Sequence, residues 1–281
     1  MIAAVVVTYS AAPGMLDACL AALRADGGAE LVVVVDTGGR AAPADADVEL
    51  LRMDNRGYGA AANAGIRRAF ERGADAVALL NDDVTVHPGW LAPLAAELSG
   101  ERVGAVQPKL LHAGSGLINS LGVQIGPDGA GTDMGDGEPD LPGGEPSDIE
   151  IFSGGALLLS RGFVEDTGGF DERWFLYYED VDLALRGAAK GWRYRLVPLA
   201  RVDHQRSTSS STQPDRTRYL QERNRLWAAF RFQSAATIGR ALWLSIRRLR
   251  HRPRLVHAKA LCAGLAGGVV RLVERRRRQT R

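Results

Sequence analysis

Short apolar runs separated by helical patterns constrain the fold of this chain more than any other feature. The segments IAAVVVTY (2–9), ELVVVVD (30–36) and DAVALLNDD (75–83) each contain an uninterrupted apolar stretch of strand length. Such runs are typical of strands covered on both faces. The intervening segments, residues 15–26 and 57–73, carry apolar residues at helical spacing. This alternation predicts an α/β fold with a Rossmann-like, mostly parallel sheet flanked by helices.

The predicted strands end in polar residues rather than in ordinary turns. These endings are Thr8-Tyr9, Asp36-Thr37 and Asn81-Asp82-Asp83. In parallel α/β sheets, ligands bind at the carboxyl ends of the strands, where the strand order reverses. The sequence therefore predicts a ligand site built from these three endings.

Two adjacent carboxylates, Asp82 and Asp83, follow the apolar run 77–80. Because like charges repel, the pair must either face water or be neutralised by a cation. A hard divalent cation prefers carboxylate oxygens, and a crevice at the strand ends would suit it. A solvated turn is the alternative, and the three letters NDD do not by themselves decide between the two.

A second acidic cluster lies in the segment YYEDVDL, with Glu179, Asp180 and Asp182 at a predicted helix start. Acidic side chains there also favour the helix dipole, which is the structural explanation. Three acids exceed what this requires, so the cluster predicts a functional role. His204 ends a short predicted strand and could be either a ligand or a structural histidine.

The middle of the chain is unusual in composition. Residues 127–148 are dense in Gly, Pro, Asp and Glu and nearly lack bulky apolar side chains. A stretch of that length without a core is expected to be either disordered or a mobile lid. Gly154 and Gly155 then precede another strand pattern, where they would permit the close approach of a ligand or of a second backbone.

The modest net charge of +2 conceals a strong asymmetry. Of the 35 Lys and Arg residues, 18 lie in residues 216–281, together with only two of the 33 acids. An acidic body with a basic, helix-patterned end indicates contact with an anionic surface. Within 235–281, apolar residues alternate with arginines, as in a helix lying on an anionic membrane. Nucleic-acid binding by the final ERRRRQTR, or a disordered tail, is the alternative.

The location of the chain is predicted from segments that it lacks. Cys19 and Cys262 have no partner at metal-ligand spacing, and Cys19 fits a small buried thiol. The N-terminus carries no basic leader. The run LCAGLAGGVV holds ten residues, against about 20 needed to cross a bilayer. We therefore expect a cytoplasmic protein, peripheral at the inner face of the cell membrane if 235–281 binds lipid.

The order and spacing of many motifs resemble one family. The chain is similar to the family-2 glycosyltransferases with the GT-A fold, and within them to rhamnosyltransferase-like bacterial enzymes of polysaccharide assembly. The resemblance covers roughly residues 2–233 and is carried by VVVTYS, VVVVDTGG, NRGYGAAANAGI, LLNDDV, PGWL, VGAVQPK, SGGALLLSRGFVEDTGGFDERWFLYYEDVDLALRGAAKGWRY and VDH.

The resemblance implies a role for each matching residue. The nucleotide-sugar donor would be bound by Thr8, Tyr9, Asp36, Asn55, Gly57, Asn63, Asn81, Asp82, Gly154 and Gly155. Asp83 and His204 would hold a divalent cation, Mn²⁺ or Mg²⁺, and Asp180 would be the general base. The acceptor would meet Trp174, Tyr178 and Glu179, the first two within an aromatic cluster that could pack against sugar faces. Arg223 and Arg225 could meet a phosphate or form a solvated basic face.

The implied reaction is inverting, metal-dependent transfer of a sugar from a dTDP- or UDP-sugar, rhamnose being one candidate. The acceptor would be a hydroxyl of a saccharide or of a lipid-linked acceptor in cell-envelope glycan synthesis. One base suffices for a single displacement, whereas retaining hydrolysis uses a carboxylate pair. The catalytic domain would span 1–215, with a nucleotide-sugar half to about 110 and an acceptor half after it, and 216–281 would form the basic helical extension.

The chain departs from the family's motifs at two places, and two other functions therefore stay open. Asn81 replaces the first acid of the family's Asp-x-Asp motif, and DTGG replaces the commoner DNGS. A sugar nucleotidyltransferase is one alternative, although TYSAAPGM lacks the Gly-rich loop with a following Lys or Arg that is typical of that class. A catalytically inactive, membrane-associated scaffold is the other, and the retention of Asp83 and Asp180 counts against it.

Overall fold

The computed structural model describes residues 1–43, 47–205 and 213–279, with the side chains of 276–279 excepted. The strands are β1 Ile2–Thr8, β2 Leu31–Asp36, β3 Val48–Arg52, β4 Ala76–Asn81, β5 Val84–Val86, β6 Val103–His112, β7 Leu117–Ser120, β8 Val123–Ile125, β9 Gly131–Asp133, β10 Ser147–Ile149, β11 Ala156–Ser160 and β12 Arg193–His204. The helices are α1 Met15–Asp26, α2 Tyr58–Glu71, α3 Leu91–Leu98, α4 Arg161–Thr167, α5 Glu179–Ala188, α6 Pro214–Phe232, α7 Ala235–Arg248 and α8 Arg254–Gln279, with a 3-10 turn at Glu172–Trp174.

One large sheet organises the first part of the chain. Its order is β10-β12-β6-β11-β4-β1-β2-β3, and β5 and β7 add to β12 and β6. The strands β3, β2, β1 and β4 are parallel neighbours, and β11 runs antiparallel between β4 and β6. The predicted α/β fold with a mostly parallel sheet is confirmed, and the ends of β1, β2 and β4 lie side by side.

Both faces of the sheet are covered, which explains why its strands are apolar on both sides. On one face, α1 and α3 bury side chains such as Leu20, Trp90 and Leu94. On the other face, α2, α4 and α5 bury Ile66, Phe163 and Leu183. Cys19 belongs to the first layer, where burial raises the pKa of its thiol to about 12. The expectation of a small buried thiol is confirmed.

The basic C-terminal part is helical, as predicted, and α6 and α8 pack closely against each other. A side chain added at Gly264 or Gly267 would lie 2.4 Å from Leu226 or 2.3 Å from Trp227. His257 of α8 also lies 2.8 Å from the Glu222 carboxylate of α6, with both side chains buried. The division at 215/216 stays a prediction, and α6 is bonded to the preceding domain through contacts described below.

The acidic segment 127–148 is not structureless, which corrects one of the two expectations for it. It contains β9 and part of β10, and a buried ion pair anchors it to the sheet. Lys109 Nζ lies 2.7 Å from Asp140 Oδ1 and donates to the Leu141 carbonyl at 2.7 Å. Arg201 also pairs with Asp140. This anchor cannot be predicted from the residue pattern, because Lys109 lies in an apolar strand that precedes the segment by 18 residues.

The expectation that the C-terminal part holds no segment of membrane-spanning length is wrong. Residues 254–275 form 22 residues of continuous helix that are long and apolar enough to cross a bilayer. His257 and Lys259 do not interrupt that helix. The predicted role of the basic end, residues 276–281, falls on side chains outside the described residues.

Candidate active site

The ends of β1 and β4 are joined by a short hydrogen bond. Thr8 Oγ1 donates to Asp82 Oδ2 at 2.6 Å, and the Tyr9 N–H donates to the same carboxyl group. Burial, together with the neighbouring Asp83, raises the pKa of Asp82 above its usual range. The Tyr9 side chain is exposed beside this contact. Asp82 therefore connects the two strands at the edge where the predicted donor would bind.

Asp36 ends β2 and shapes the loop that follows it. Its Oδ1 accepts from the Gly38 and Gly39 N–H groups at 2.8 Å each, and its Oδ2 accepts from the Ala41 N–H at 2.8 Å. A Cβ at Gly38 would lie 1.7 Å from the Tyr9 carbonyl oxygen. Gly38, the first glycine of DTGG, is thus required by the close approach of the loop to the end of β1.

Asp83 and His204 face each other across the antiparallel pair of β5 and β12. His204 Nε2 lies 3.3 Å from Asp83 Oδ1, and Asp83 is 4% exposed. His204 Nδ1 lies 2.8 Å from Asn119 Oδ1, which can only accept a hydrogen bond. Nδ1 therefore donates to that oxygen, and Nε2 is the ring nitrogen that faces Asp83. A carboxylate oxygen and an imidazole nitrogen are both groups that bind divalent cations.

A further oxygen donor at this strand end is also unsatisfied. Asn81 Oδ1 and Asp83 Oδ1 are buried and lack a hydrogen-bond partner among the described residues. Among all the described residues, no group of three or more His, Cys, Asp or Glu side chains is arranged so that it could hold a metal ion.

Gly154 and Gly155 separate this pair from the predicted base. The Gly154 N–H donates to Asp180 Oδ2 at 2.9 Å, and a Cβ at Gly154 would lie 3.3 Å from the same oxygen. A Cβ at Gly155 would lie 3.5 Å from the His204 ring and 3.1 Å from Leu110. Because the two glycines are consecutive, the Asp180 carboxylate and the His204 imidazole lie on either side of one stretch of backbone.

Asp180 and Glu179 begin α5, and both carboxyl groups are shielded from water. Asp180 is half-buried and its Oδ1 also accepts from the Val181 N–H at 2.8 Å. Burial raises the pKa of Asp180 well above its usual range, against these hydrogen bonds. Glu179 is 8% exposed, and its Oε2 has no hydrogen-bond partner among the described residues. Burial, and then the neighbouring Asp180 charge, raise the pKa of Glu179 further.

The predicted donor-binding residues around the start of α2 contact the loop that precedes α5. Gly57, at φ 98°, lies against Phe175, whose carbonyl oxygen would be 2.3 Å from an added Cβ. Asn55 Oδ1 accepts from the Gly57 N–H at 3.0 Å. Asn63 bonds both the carbonyl and the N–H of Phe170 at 2.9 Å. The Asn63 amide thus ties α2 to the loop before α5, and its role in donor binding stays a prediction.

Trp174, which is predicted to meet the acceptor, lies in the interior of the structure, and its role stays a prediction. Trp174 is fully buried, with its ring stacked on Tyr178 at a centroid distance of 6.4 Å and edge-on to Trp227 at 5.7 Å. The Tyr178 hydroxyl donates to the Gly129 carbonyl and accepts from the Gly131 N–H. The sequence around the aromatic run predicts a surface platform, because the helix that covers it, α6, begins 40 residues later in the chain.

Neither reading of Arg223 and Arg225 is confirmed. Arg225 is 3% exposed and donates to the Asp128 and Ala241 carbonyls and the Ser245 hydroxyl. Arg223 donates to the Trp174 carbonyl at 2.8 Å. These guanidinium groups therefore join α6 to its neighbours rather than facing a phosphate or water.

Several residues at or near the site were not singled out from the sequence. Asn119 fixes the tautomer of His204, and Tyr58 donates to the Gly154 carbonyl at 3.3 Å. Arg231 of α6 lies 2.6 Å from Asp182 and 2.9 Å from Asp171. Asp182, one of the three acids of YYEDVDL, is thus neutralised by arginine and has a structural role. The RNR sequence in α6 was the only signal available for this interface.

The sequence of this chain is similar to those of several curated proteins. It is 34% identical over 182 residues to the N-acetylglucosaminyl-diphospho-decaprenol L-rhamnosyltransferase of Mycobacterium tuberculosis, covering 57% of this chain and 59% of the relative. It is 29% identical over 186 residues to the pre-mycofactocin glycosyltransferase of the same organism, covering 63% of this chain and 38% of that protein. The chain thus spans less than two thirds of either relative.

Solved structures share the fold across nearly the whole chain. A mannosyltransferase of Pyrobaculum calidifontis, PcManGT, in complex with GDP-Man and Mn²⁺, matches with a TM-score of 0.56 at 16% identity, covering 95% of this chain and 86% of that one. TarS 1-349 of S. aureus matches with a TM-score of 0.58 at 12% identity, covering 98% and 81%. GalNAc-T7 with UDP, GalNAc and Mn²⁺ matches with a TM-score of 0.58 at 16% identity, covering 73% and 43%.

These neighbours have the GT-A glycosyltransferase architecture, so the predicted fold class is confirmed. The family model described as Glycosyl transferase family 2 matches residues 3–161, which hold β1 to β11 with Asp36, Asp83 and Gly155. With more than half of its length matched by that model, this chain belongs to glycosyl transferase family 2.

Proposed function

We propose that this protein transfers a sugar from a nucleotide-diphospho-sugar to a hydroxyl group, with inversion at the anomeric carbon and with a divalent cation. One observation carries the proposal. A half-satisfied pair of cation ligands, Asp83 and His204, and one shielded carboxylate, Asp180, lie on either side of Gly154-Gly155 at the end of the sheet.

The donor set fits a divalent cation. Asp83 Oδ1 has no hydrogen-bond partner among the described residues, and His204 Nε2 lies 3.3 Å from that oxygen. Asp83 and His204 would hold Mn²⁺ or Mg²⁺, and Asn81 Oδ1 is a further oxygen at the same strand end. When bound, such a cation neutralises the charge of a diphosphate and so improves it as a leaving group.

Asp180 is proposed as the general base that takes the proton of the acceptor hydroxyl. Its Oδ1 and Oδ2 are oriented by the Val181 and Gly154 N–H groups. Burial raises the pKa of Asp180, which makes the carboxylate a better proton acceptor than an exposed aspartate. The pKa of the neighbouring Glu179 is raised by burial and by the Asp180 charge, which favours a neutral Glu179. A single ionised carboxylate suits a single displacement, and therefore inversion.

The donor is proposed to be a dTDP- or UDP-sugar, with rhamnose as the first candidate. The named activity of the M. tuberculosis relative is L-rhamnosyl transfer, and two fold neighbours were solved with UDP or GDP-Man and Mn²⁺. In this chain, Thr8, Tyr9 and Asp36 lie at the ends of β1 and β2, where a GT-A fold receives the base and ribose. Because Asp36 is used by its own loop, the Gly38–Ala41 backbone shapes that subsite.

The first experiment is a donor panel read by release of nucleoside diphosphate, with and without Mn²⁺. Product stereochemistry is then assigned by NMR of the anomeric proton. We expect one donor to be turned over only with the cation, and the product to have the anomeric configuration opposite to the donor. Retention of configuration would refute a single displacement on Asp180.

Variants separate the two halves of the proposed site. Asp83→Asn should weaken Mn²⁺-dependent binding of the nucleoside diphosphate in calorimetry, because it removes the charged oxygen facing His204. Asp180→Asn should leave that binding near normal and abolish turnover. Glu150→Gln, which removes an exposed carboxylate outside the site, is the matched control. Cation-independent binding in the wild type would instead favour an inactive scaffold, and release of inorganic diphosphate from a sugar phosphate and a nucleoside triphosphate would favour a nucleotidyltransferase.

The acceptor is proposed to be a lipid-linked saccharide met at the inner face of the cell membrane. The relative's name includes a diphospho-decaprenol acceptor. In this chain, α7 and α8 expose large apolar side chains that the rest of the protein does not cover. These are Trp243, Ile246, Leu255, Leu265, Val269, Val270 and Val273.

The geometry of α8 favours a helix that lies on the membrane over one that crosses it. Leu255, Lys259, Val269 and Val273 recur at helical spacing on its exposed side. The opposite side holds Gly264, with buried contacts to α6. A spanning helix would have to give up those contacts, whereas an interfacial helix keeps them and buries only its apolar side. Arg247, which lies over the Trp243 ring, adds the positive charge that anionic lipid attracts.

Liposome flotation of the full chain tests this surface. Val269→Glu with Trp243→Glu should reduce recovery on anionic vesicles, and Arg247→Glu should lower both the recovery and its sensitivity to salt. Leu141→Glu, which alters an exposed apolar side chain outside α7 and α8, is the control. Recovery that resists alkaline carbonate would contradict peripheral binding and indicate a spanning helix, and equal recovery of all variants would refute the surface.

A further inference from the structure

The segment that leads into α5 has an unusual backbone. Phe175, Tyr177 and Tyr178 have φ angles of 69°, 68° and 70°, although none of them is glycine. Side-chain-bearing residues rarely adopt this region, because the Cβ crowds the backbone. At Phe175, ψ is −61° and the Leu176 N–H donates to the Trp174 carbonyl at 3.0 Å, which is the strained form of the γ-turn. Such a conformation persists only where its surroundings hold it.

Asn224 of α6 is the side chain that holds it. Asn224 is fully buried, and its Nδ2 donates to three carbonyl oxygens of the segment: Leu176 at 2.9 Å, Tyr177 at 2.7 Å and Trp174 at 3.2 Å. Its Oδ1 accepts from Arg223 Nε at 2.8 Å, and the same guanidinium donates to the Trp174 carbonyl. The amide is therefore fixed in the orientation that presents its NH₂ group to the turn.

The segment held by Asn224 sets the start of the helix that carries the base. Tyr178 directly precedes α5, and its carbonyl accepts from the Asp182 N–H at 2.9 Å, the first turn of that helix. From the other side, the Phe175 carbonyl accepts from the Tyr58 N–H at 2.7 Å. The segment is thus clamped between α2 and α6, and its left-handed residues turn the chain so that Asp180 reaches Gly154.

We propose that Asn224 is a positioning residue for sugar transfer: by holding the 174–178 backbone in its left-handed turn, it aims Asp180 at the acceptor hydroxyl. The inference rests on the proposed role of Asp180 and extends the active site into α6, beyond the residues 3–161 that the family model matches. Without the amide, the Leu176 and Tyr177 carbonyls lose the Asn224 donor, whereas the Trp174 carbonyl keeps Arg223 and the Leu176 N–H, and we expect the strained turn to relax. Asp83 directly precedes β5 and His204 ends β12, so both proposed cation ligands lie outside the 174–178 segment and we expect them to stay in place.

The proposal predicts a loss of turnover without a loss of donor binding. Asn224→Leu keeps the branched shape and the number of side-chain heavy atoms and removes the donor, and Asn224→Ser keeps one hydroxyl donor. We expect kcat to fall at least 30-fold in the leucine variant and less in the serine variant. The KM for the donor and the Mn²⁺-dependent affinity for nucleoside diphosphate should stay within twofold of wild type. All rates are measured well below each variant's Tm and per folded molecule.

Ser245→Ala is the matched control, because it removes a buried hydrogen bond that α6 makes to α7 through Arg225, away from the 174–178 turn. It should lower Tm while kcat stays within twofold of wild type. In an Asp180→Asn background, Asn224→Leu should cause no further loss of the residual rate, since the base it positions is gone.

Three results would overturn the proposal. They are an unchanged kcat in both Asn224 variants, an equal fall of kcat in Ser245→Ala, and a further loss in the Asp180→Asn background as large as in the wild type. If Asn224→Leu does not fold, the serine variant alone decides between these outcomes. An active Asp180→Asn enzyme would refute the proposed base itself, whereas an inactive one beside a fully active Asn224→Leu would refute only the role of Asn224.

Discussion

Replacing Asp180 by Asn should make the protein more stable at neutral pH while it stops turnover. Burial raises the pKa of Asp180 from 3.8 to about 6, although the Val181 and Gly154 N–H groups oppose the change. At about 1.4 kcal/mol per pKa unit, a charged Asp180 costs the folded state about 3 kcal/mol. Asn has one oxygen where Asp180 uses two, so one N–H loses its acceptor at a cost of about 1–3 kcal/mol.

The sign of the pH dependence separates these two effects. Because the pKa is higher in the folded chain, the folded state binds the proton more tightly between about pH 4 and pH 6. Wild-type stability from this group is therefore fully present below the unfolded pKa and is lost as the pH rises to about 6. The missing hydrogen bond costs the same at every pH. The stability of Asp180→Asn relative to wild type should then improve by about 2 kcal/mol between pH 4.5 and pH 7.5.

The assay is urea denaturation of wild type, Asp180→Asn and Glu150→Gln at the two pH values. The change of exposed Glu150 should shift the relative stability by less than about 0.5 kcal/mol. A relative stability of Asp180→Asn that is equal at pH 4.5 and pH 7.5, or that falls, would refute the argument that the Asp180 charge is held at a cost. In the wild type, kcat should fall as the pH drops through about 6, since the base must be ionised.

Three further substitutions test how the site is supported. Gly57→Ala should destabilise the protein by about 2 kcal/mol or more, because an added Cβ at φ 98° would lie 2.3 Å from the Phe175 carbonyl oxygen; an unchanged Tm would contradict this contact. Arg231→Met should cost about 3 kcal/mol in urea denaturation, since it leaves Asp182 buried with Arg186 as its remaining partner; a neutral result would show that the pair is not desolvated. Lys109→Met should speed limited proteolysis near Leu141, because it frees the anchored segment, and an unchanged cleavage rate would refute that anchor.

The site combines groups that would be costly in an ordinary core. Asn81, Asp83 and Glu179 each keep a buried oxygen without a hydrogen-bond partner among the described residues. Folded proteins rarely leave such groups unpaired without a functional reason. These atoms cluster at the strand ends and at the start of α5, which is where the proposed cation and base lie. The buried charge of Asp180 is likewise held at a cost, so a substitution that stabilises this position should also remove activity.

The sequence alone determined the sheet, the helices that cover it and the strand ends that form the crevice. These features are encoded locally, since an apolar run such as residues 2–8 must be buried on both faces whatever packs on it. The acids of NDD and the Asp180 of YYEDVDL were visible for the same reason, because they interrupt patterns that are otherwise apolar or helical.

Only the tertiary structure decided which polar groups meet. The proton on His204 is placed by Asn119, Trp174 is buried by α6, and Asn224 holds a turn about 50 residues earlier in the chain. None of these partners is implied by spacing, because a hydrogen bond depends on the position of one atom while hydrophobic periodicity specifies only a face. The strained turn before Asp180 cannot be predicted from the sequence for the same reason. Phe, Leu and Tyr form such a turn only when a distant amide is present to hold it.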